Sequence, residues 1–230
     1  MPNFQKICVF DMETDGAKPD KCSPVQIAAI MIDPNRLEII KDSEFNITLK
    51  PLALEDDKDY DYSDSDVLDF HAKVQGCSKE NILDKWKDYP KQELGWKNFV
   101  SYLDMYHTRS ERKSCFTAPI AAGYNINGFD LKIVERLSSK YKNVNKEGRS
   151  NLFFPRDVID VMNLIFYWFE GNNELKNYKM DNLREYFGMD KDGAHDALKD
   201  VQDTAGLLIR FLKLHRNVAQ KVSFRDSFVQ

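Results

Sequence analysis

Residues 7–16, ICVFDMETDG, begin as an apolar run and end in acidic side chains. The β-branched and aromatic residues of the run predict a buried strand. Asp11 and Glu13 are two positions apart, so their side chains share one face of that strand. Two carboxylates about 4 Å apart repel each other by about 4 kcal/mol at an effective dielectric of 20, so the pair favours a bound cation or proton. The alternative interpretation is a solvent-exposed strand end.

Apolar stretches separated by turn residues predict antiparallel strands near the N-terminus. After the first run, these stretches are residues 24–32, 38–40 and 45–49. A further buried strand is predicted at residues 120–124, and helices are predicted at residues 129–141, 158–169 and 197–214. Strands followed by alternating helices and strands predict a mixed sheet with helices on its faces. The 230 residues suffice for one such domain.

The composition excludes several classes of protein. The formal net charge of −4 argues against a protein that coats nucleic acid by bulk attraction. The sequence contains no apolar run of about 18 residues, and its N-terminus lacks the features of a signal peptide, so we expect a cytoplasmic protein without membrane contact. Four cysteines are spaced too irregularly for a zinc site and are expected to be free thiols: Cys8, Cys22, Cys77 and Cys115.

A second acidic element is the stretch 123–130, GYNINGFD, in which a predicted strand passes through a polar turn to Asp130. This residue is placed where the next helix is predicted to begin. Its carboxylate therefore either belongs to a site at the end of the sheet or caps the helix.

A third element is the stretch 193–201, GAHDALKDV. Five residues along a helix rotate about 140° beyond a full turn, so His195 and Asp200 do not share a face of one helix. We expect His195 on the loop before the helix, where it can approach a substrate, and Asp200 in the early turns. The alternative is a surface histidine beside a capped helix.

The combination of the three elements is more informative than each alone. Carboxylate ligands, without cysteines or histidines at ligand spacing, favour Mg²⁺ or Mn²⁺ over zinc. Two such ions about 3.5 to 4 Å apart can hold the attacking and leaving oxygens of a phosphodiester displacement. Such a pair of ions would explain the acids at the end of the first strand.

These motifs resemble the DnaQ-like 3′→5′ exonucleases with the DEDDh pattern, and within them the nuclease domain of bacterial exonuclease I. The resemblance rests on FDMETDG with PVQIAAI, on GYNINGFD, on RDVIDVM and on GAHDALKDVQDT, and it covers about residues 5–214. It implies an α/β, RNase H-like fold: a five-stranded mixed sheet whose first three strands are antiparallel, flanked by helices. The expected organisation is an exonuclease domain at residues 1–220 and a C-terminal tail at 221–230.

The resemblance also implies the activity and the roles of five residues. The expected enzyme is a metal-dependent 3′→5′ exonuclease that degrades single-stranded nucleic acid, DNA favoured over RNA, to nucleoside 5′-monophosphates with two Mg²⁺ or Mn²⁺ ions. Asp11 would contact both ions, Glu13 and Asp200 would complete the first site, and Asp130 would support the second. His195 would be the general base.

Substrate contacts are implied for a further group of residues. They would line the pocket of the 3′-terminal nucleotide and are Met12, Thr14, Asp15, Gly16 and Asn125. Three alternatives stay open: an exoribonuclease or oligoribonuclease, a proofreading subunit with a polymerase or other replication and repair partner, and a catalytically silent nucleic-acid-binding module. Because the sequence ends soon after the expected nuclease domain, we expect no counterpart of the accessory domains that enclose DNA in exonuclease I.

Overall fold

The computed structural model describes residues 5–62, 65–109, 111, 113–171, 173–190 and 196–222. Its strands form one sheet and are β1 (Ile7–Thr14), β2 (Pro24–Asp33), β3 (Glu38–Ile39), β4 (Phe45–Thr48), β5 (Ile120–Gly123) and β6 (Val158–Asp160). The strand order is β3-β2-β1-β5-β6, and β4 also pairs with β2. Pairs among β1 to β4 are antiparallel, whereas β5 is parallel to β1 and β6 is parallel to β5. The predicted mixed sheet with antiparallel first strands is confirmed.

The sheet has six strands, not five, because its outer strand is interrupted. Both β3 and β4 pair with β2, so they occupy one position at the edge. Between them Asp42 adopts a left-handed conformation with φ of 57°. The hydroxyl of Ser43 then accepts a hydrogen bond from the backbone N–H of Met31 at 3.2 Å, in place of a strand partner. The predicted strands 38–40 and 45–49 therefore exist as separate short strands.

The helices cover both faces of the sheet. They are α1 (Leu52–Asp56), α2 (Asp66–Gln75), α3 (Lys79–Asp88), α4 (Gln92–Asp104), α5 (Asp130–Lys140), α6 (Val161–Phe169), α7 (Met180–Tyr186) and α8 (Ala197–Lys221). The helices predicted at 129–141 and 197–214 are confirmed, and α8 extends further than predicted.

The helix predicted at 158–169 is wrong in its first three residues. Val158–Asp160 form β6, which pairs with β5. A short apolar run is compatible with both a buried strand and a helix, so periodicity alone does not separate them. The apolar spacing of residues 158–169 also predicts an inward-facing Phe166, but this side chain is 47% exposed.

Alternation along β1 divides the core between two layers. Cys8, Phe10 and Met12 pack into the cluster under α4 and α5. Ile7 and Val9 point to the opposite face, where they pack against the apolar side of α8. A strand repeats its side-chain direction every two residues, so this second face continues into Asp11 and Glu13.

Two composition-based predictions also have a structural counterpart. All four cysteines are free thiols, as predicted. Within the described residues, no helix combines the length and apolar character that crossing a bilayer requires.

Candidate active site

β1 and α8 bring three predicted metal ligands together. Asp11 and Glu13 lie at the C-terminal end of β1, on the face that packs against α8, and Asp200 lies in the first turn of α8. One carboxylate oxygen from each of the three residues lies within 4.8 Å of the others. Three residues that are distant in sequence thus form one acidic cluster.

The electrostatics of this acidic cluster favour a cation. Burial raises the pKa of Asp11, and the charge of Asp200 raises it further. Burial also raises the pKa of Glu13, to about 8, with contributions from the charges of Asp11 and Asp200. Full ionisation of the cluster is therefore unfavourable without a compensating positive charge. An all-oxygen donor set suits a hard divalent cation such as Mg²⁺ or Mn²⁺.

Asp130 approaches the same strand end from the other layer. It is the first residue of α5, and its Oδ1 accepts a hydrogen bond from the backbone N–H of Met12 at 3.0 Å. This N–H is available because β5 pairs with β1 only as far as Val9. Burial raises the pKa of Asp130 well above its ordinary value, as does the charge of Asp11. Phe129 is the N-cap of α5, so the alternative that Asp130 is the capping residue is wrong.

The turn before Asp130 is held by a residue to which the sequence assigned no role. Asp160, at the end of β6, accepts hydrogen bonds from the backbone N–H groups of Asn125, Asn127 and Met162 at 3.1, 3.3 and 3.2 Å. Asn125 itself adopts a left-handed conformation with φ of 56°. The available signal was the acid that ends a short apolar run within RDVIDVM.

Three of the predicted substrate contacts have side chains that are engaged inside the protein. Met12 packs in the core, and the hydroxyl of Thr14 donates to the carbonyl oxygen of Gly16 at 2.8 Å. The carboxylate of Asp15 accepts a hydrogen bond from the hydroxyl of Tyr62 at 2.9 Å. These side chains therefore support the shape of the strand end, and substrate contacts there would fall to backbone groups.

Two cavities lie near the end of β1, and one of them borders the acidic cluster through Glu13. One of about 380 Å³ is bordered by Glu13, Gln26, His71, Trp86, Tyr89 and Asp196. Another of about 480 Å³ is bordered by Asp15 and Gly16, among other residues. Both volumes are in the range of small-ligand sites. The sequence identified Glu13, Asp15 and Gly16 but missed the aromatic and amide residues of the first cavity, because they come from separate elements.

Arg184 is a further residue of the site that sequence patterns missed. Its side chain is fully buried, and its Nη2 forms an ion pair with Asp200. Nε donates to Asp203 at 2.8 Å and Nη1 donates to Asp181 at 3.0 Å. No local pattern distinguishes this arginine from one on the exposed face of a helix.

The predicted general base, His195, directly precedes the described residue Asp196 in the sequence. Asp196 is the N-cap of α8, and its side chain accepts hydrogen bonds from the backbone N–H groups of Leu198 and Lys199. Its Oδ2 also accepts a hydrogen bond from the amide of Gln26 at 3.1 Å. His195 lies outside the described residues, so its predicted role stays a prediction.

The C-terminal half of the chain resembles a known family in sequence. Residues 107–208 match the RNase T exonuclease family model, a segment that includes Asp130 and Asp200 but neither Asp11 nor Glu13. No curated protein matches the chain by sequence.

Solved structures of nucleases share the fold. Escherichia coli exonuclease I in complex with a dT13 oligonucleotide matches 95% of this chain with a TM-score of 0.65 and 17% identity. Cell-death related nuclease 4 (CRN-4) matches 92% of this chain with a TM-score of 0.60 and 16% identity. A 3′-exonuclease that recognises the 3′ end of a histone mRNA stem-loop matches 91% with a TM-score of 0.59 and 15% identity.

The lengths of these proteins differ. The match covers 43% of the exonuclease I chain, 65% of the CRN-4 chain and 82% of the histone mRNA 3′-exonuclease chain. The chain thus spans less than half the length of exonuclease I. The predicted resemblance is therefore confirmed for residues 107–208, which match an exonuclease family model, and the predicted RNase H-like fold is confirmed by the likeness to exonuclease I.

Proposed function

We propose that the chain is a metal-dependent exonuclease that hydrolyses single-stranded nucleic acid from its 3′ end and releases nucleoside 5′-monophosphates. The observation that carries this proposal is the acidic cluster, in which Asp11, Glu13 and Asp200 lie within 4.8 Å of one another. A module that only binds nucleic acid gains nothing from such a cluster next to phosphates, because like charges repel.

The proposed metal ligands are the acidic residues of the site. Asp11 would contribute to both ion sites, Glu13 and Asp200 would complete the first, and Asp130 would support the second. Divalent cations held there supply Lewis-acid stabilisation of the charge that develops on the phosphate. The raised pKa values of Asp11 and Glu13 support this assignment, since they reflect burial and neighbouring negative charges, both of which a bound cation would offset.

His195 is the proposed general base that removes a proton from the attacking water. The ordinary pKa of histidine, near 6.5, suits proton transfer around neutral pH.

The proposed position of the 3′-terminal nucleotide is the cavity next to Glu13. A base could stack there against Tyr89, the half-buried aromatic side chain that borders it, a contact worth about 1–3 kcal/mol per base in other proteins. The further proposed contacts are those named from the resemblance: Met12, Thr14, Asp15, Gly16 and Asn125. The proposed exonuclease domain is residues 1–220; of the proposed tail, 221–230, residues 223–230 lie outside the described part of the chain.

DNA is the first substrate that we propose, and RNA is the second. The match to exonuclease I bound to a dT13 oligonucleotide supports DNA. The match to the histone mRNA 3′-exonuclease, which spans 82% of that protein, supports RNA. A polymerase or other replication and repair partner is a proposal from the resemblance alone.

A direct test uses matched DNA and RNA strands of 15 nucleotides, labelled at the 5′ end and incubated with Mg²⁺. Progressive shortening of the labelled strand, with release of mononucleotides, is the expected result, and EDTA should stop it. The relative rates on the two strands decide between the substrates. Binding of both strands without cleavage would contradict the proposal and support the silent binding module.

A further inference from the structure

Arg184 lies in the last turn of α7 and joins that helix to α8. Its guanidinium contacts three carboxylates: Asp203 through Nε at 2.8 Å, Asp181 through Nη1 at 3.0 Å, and Asp200 through Nη2. The arginine side chain has no exposed surface, whereas the side chain of Asp200 is 20% exposed. A guanidinium that forms ion pairs through Nε, Nη1 and Nη2 is held rigidly. The position of the Nη2 donor that contacts Asp200 is therefore fixed.

The inner partner of Arg184 belongs to a wider charge network. Asp203 is buried, and its second oxygen accepts a hydrogen bond from Nζ of Lys199 at 2.9 Å. A buried charge is tolerated when it is paired and hydrogen-bonded, and Asp203 already fulfils this condition for Arg184. Asp203 accepts only from Nε, however, and the Nη2 donor of the buried guanidinium contacts Asp200. This contact directs a fixed positive charge towards the acidic cluster.

We infer that Arg184 is a built-in counterion and positioning residue of the acidic cluster, which holds the carboxylate of Asp200 beside Asp11 and Glu13. The inference rests on the proposed function, because it treats the acidic cluster as the site of divalent cations. Such a residue affects metal binding and turnover in opposite directions. Its positive charge weakens the attraction of the site for a divalent cation, while its rigid contact keeps Asp200 in the position that turnover requires.

A purely structural role makes a different prediction. An arginine that only ties α7 to α8 would, when replaced, lower the melting temperature in EDTA. Its loss would leave the affinity of the folded protein for Mn²⁺ unchanged. The measurement that separates the two roles is therefore metal affinity, determined together with turnover.

The test uses Arg184→Met and direct titration with Mn²⁺ at pH 8 without nucleic acid, followed by turnover at saturating Mn²⁺. We expect Mn²⁺ to bind at least threefold more tightly and kcat to fall at least tenfold. Arg184→Lys retains the positive charge but cannot contact three carboxylates in the fixed geometry of a guanidinium. Its affinity for Mn²⁺ should therefore stay within twofold of wild type while kcat falls. Arg210→Met removes an exposed arginine of α8 outside this network and serves as the control, with both values unchanged.

Unchanged or weaker Mn²⁺ binding by Arg184→Met would overturn the counterion role. If this variant does not fold, Arg184→Gln keeps an amide donor without the charge and carries the same expectation. A wild-type protein that binds no Mn²⁺ would contradict the proposed function itself and the inference with it. Wild-type binding and turnover with an unaltered affinity in Arg184→Met would contradict the inference alone.

Discussion

The carboxylate of Asp130 accepts a hydrogen bond from the backbone N–H of Met12 at 3.0 Å, across 118 positions of sequence. This contact connects the start of α5 to β1, at the residue that lies between Asp11 and Glu13. Asp130 therefore carries a structural function in addition to its proposed catalytic one, and suitable substitutions separate the two.

Asp130→Asn keeps a side-chain oxygen for the Met12 N–H but removes the charge. Burial raises the pKa of Asp130, so the neutral side chain should leave the melting temperature in EDTA unchanged or raise it, while nuclease activity is lost. Asp130→Ala leaves the buried N–H without this acceptor and should cost about 1–3 kcal/mol in urea denaturation. Equal stability of the two variants would argue against the structural function.

Asp11→Ala tests the centre of the acidic cluster. Loss of this carboxylate should abolish cleavage of end-labelled strands, because Asp11 is the proposed ligand of both ions. The melting temperature in EDTA should be unchanged or higher, since the substitution removes a buried charge that is repelled by Asp200. Asp20→Ala, which removes an exposed carboxylate, is the control and should retain activity. Undiminished cleavage by purified Asp11→Ala would refute the proposed mechanism.

The stability of the metal-free protein should fall as the pH rises. Burial and the neighbouring acids raise the pKa of Glu13 from its ordinary 4.5 to about 8. Between these values the folded protein holds a proton that the unfolded chain releases, so the free energy of unfolding decreases with rising pH in this window and levels off above about pH 8. Urea denaturation in EDTA at several pH values measures this slope.

Two comparisons complete the pH experiment. Glu13→Gln should flatten the slope, because glutamine does not titrate. Saturating Mg²⁺ should reduce it as well, because a bound cation stabilises the ionised carboxylates. A metal-free protein that becomes more stable between pH 5 and pH 8 would contradict the electrostatic description of the acidic cluster.

Asp160→Ala should disrupt the turn that precedes Asp130. Three backbone N–H groups lose their acceptor, and we expect a loss of about 2–4 kcal/mol in the free energy of unfolding. Activity of the remaining folded protein should also fall, because the turn positions Asp130. Asp157→Ala, at an exposed position three residues earlier, is the matched control. Similar stability of the two variants would show that the turn is held by other contacts.

Periodicity within single elements was the reliable part of the sequence analysis. The two-residue repeat of β1 predicted that Asp11 and Glu13 share a face, and the structure has that arrangement. The positions of α5 and α8 also followed from apolar spacing. These features depend on residues a few positions apart, which a sequence displays directly.

Contacts between elements were not predictable in the same way. The ion pair of Arg184 with Asp200 depends on how α7 packs against α8, and neither helix shows it in its own pattern. The strand Val158–Asp160 was assigned to a helix because its identity depends on pairing with β5. Whether such a short apolar run forms a strand or a helix depends on its tertiary pairing and not on its local propensity.

The alternation of β1 has a consequence for insertions and deletions in this chain. One extra residue between Val9 and Asp11 would reverse the parity of the strand end and turn both carboxylates into the aromatic layer that contains Phe10. Two extra residues would restore the facing but move the acids about 7 Å along the sheet, beyond the reach of α8. The number of residues between the apolar part of β1 and its two acids is therefore constrained, as well as their chemical type.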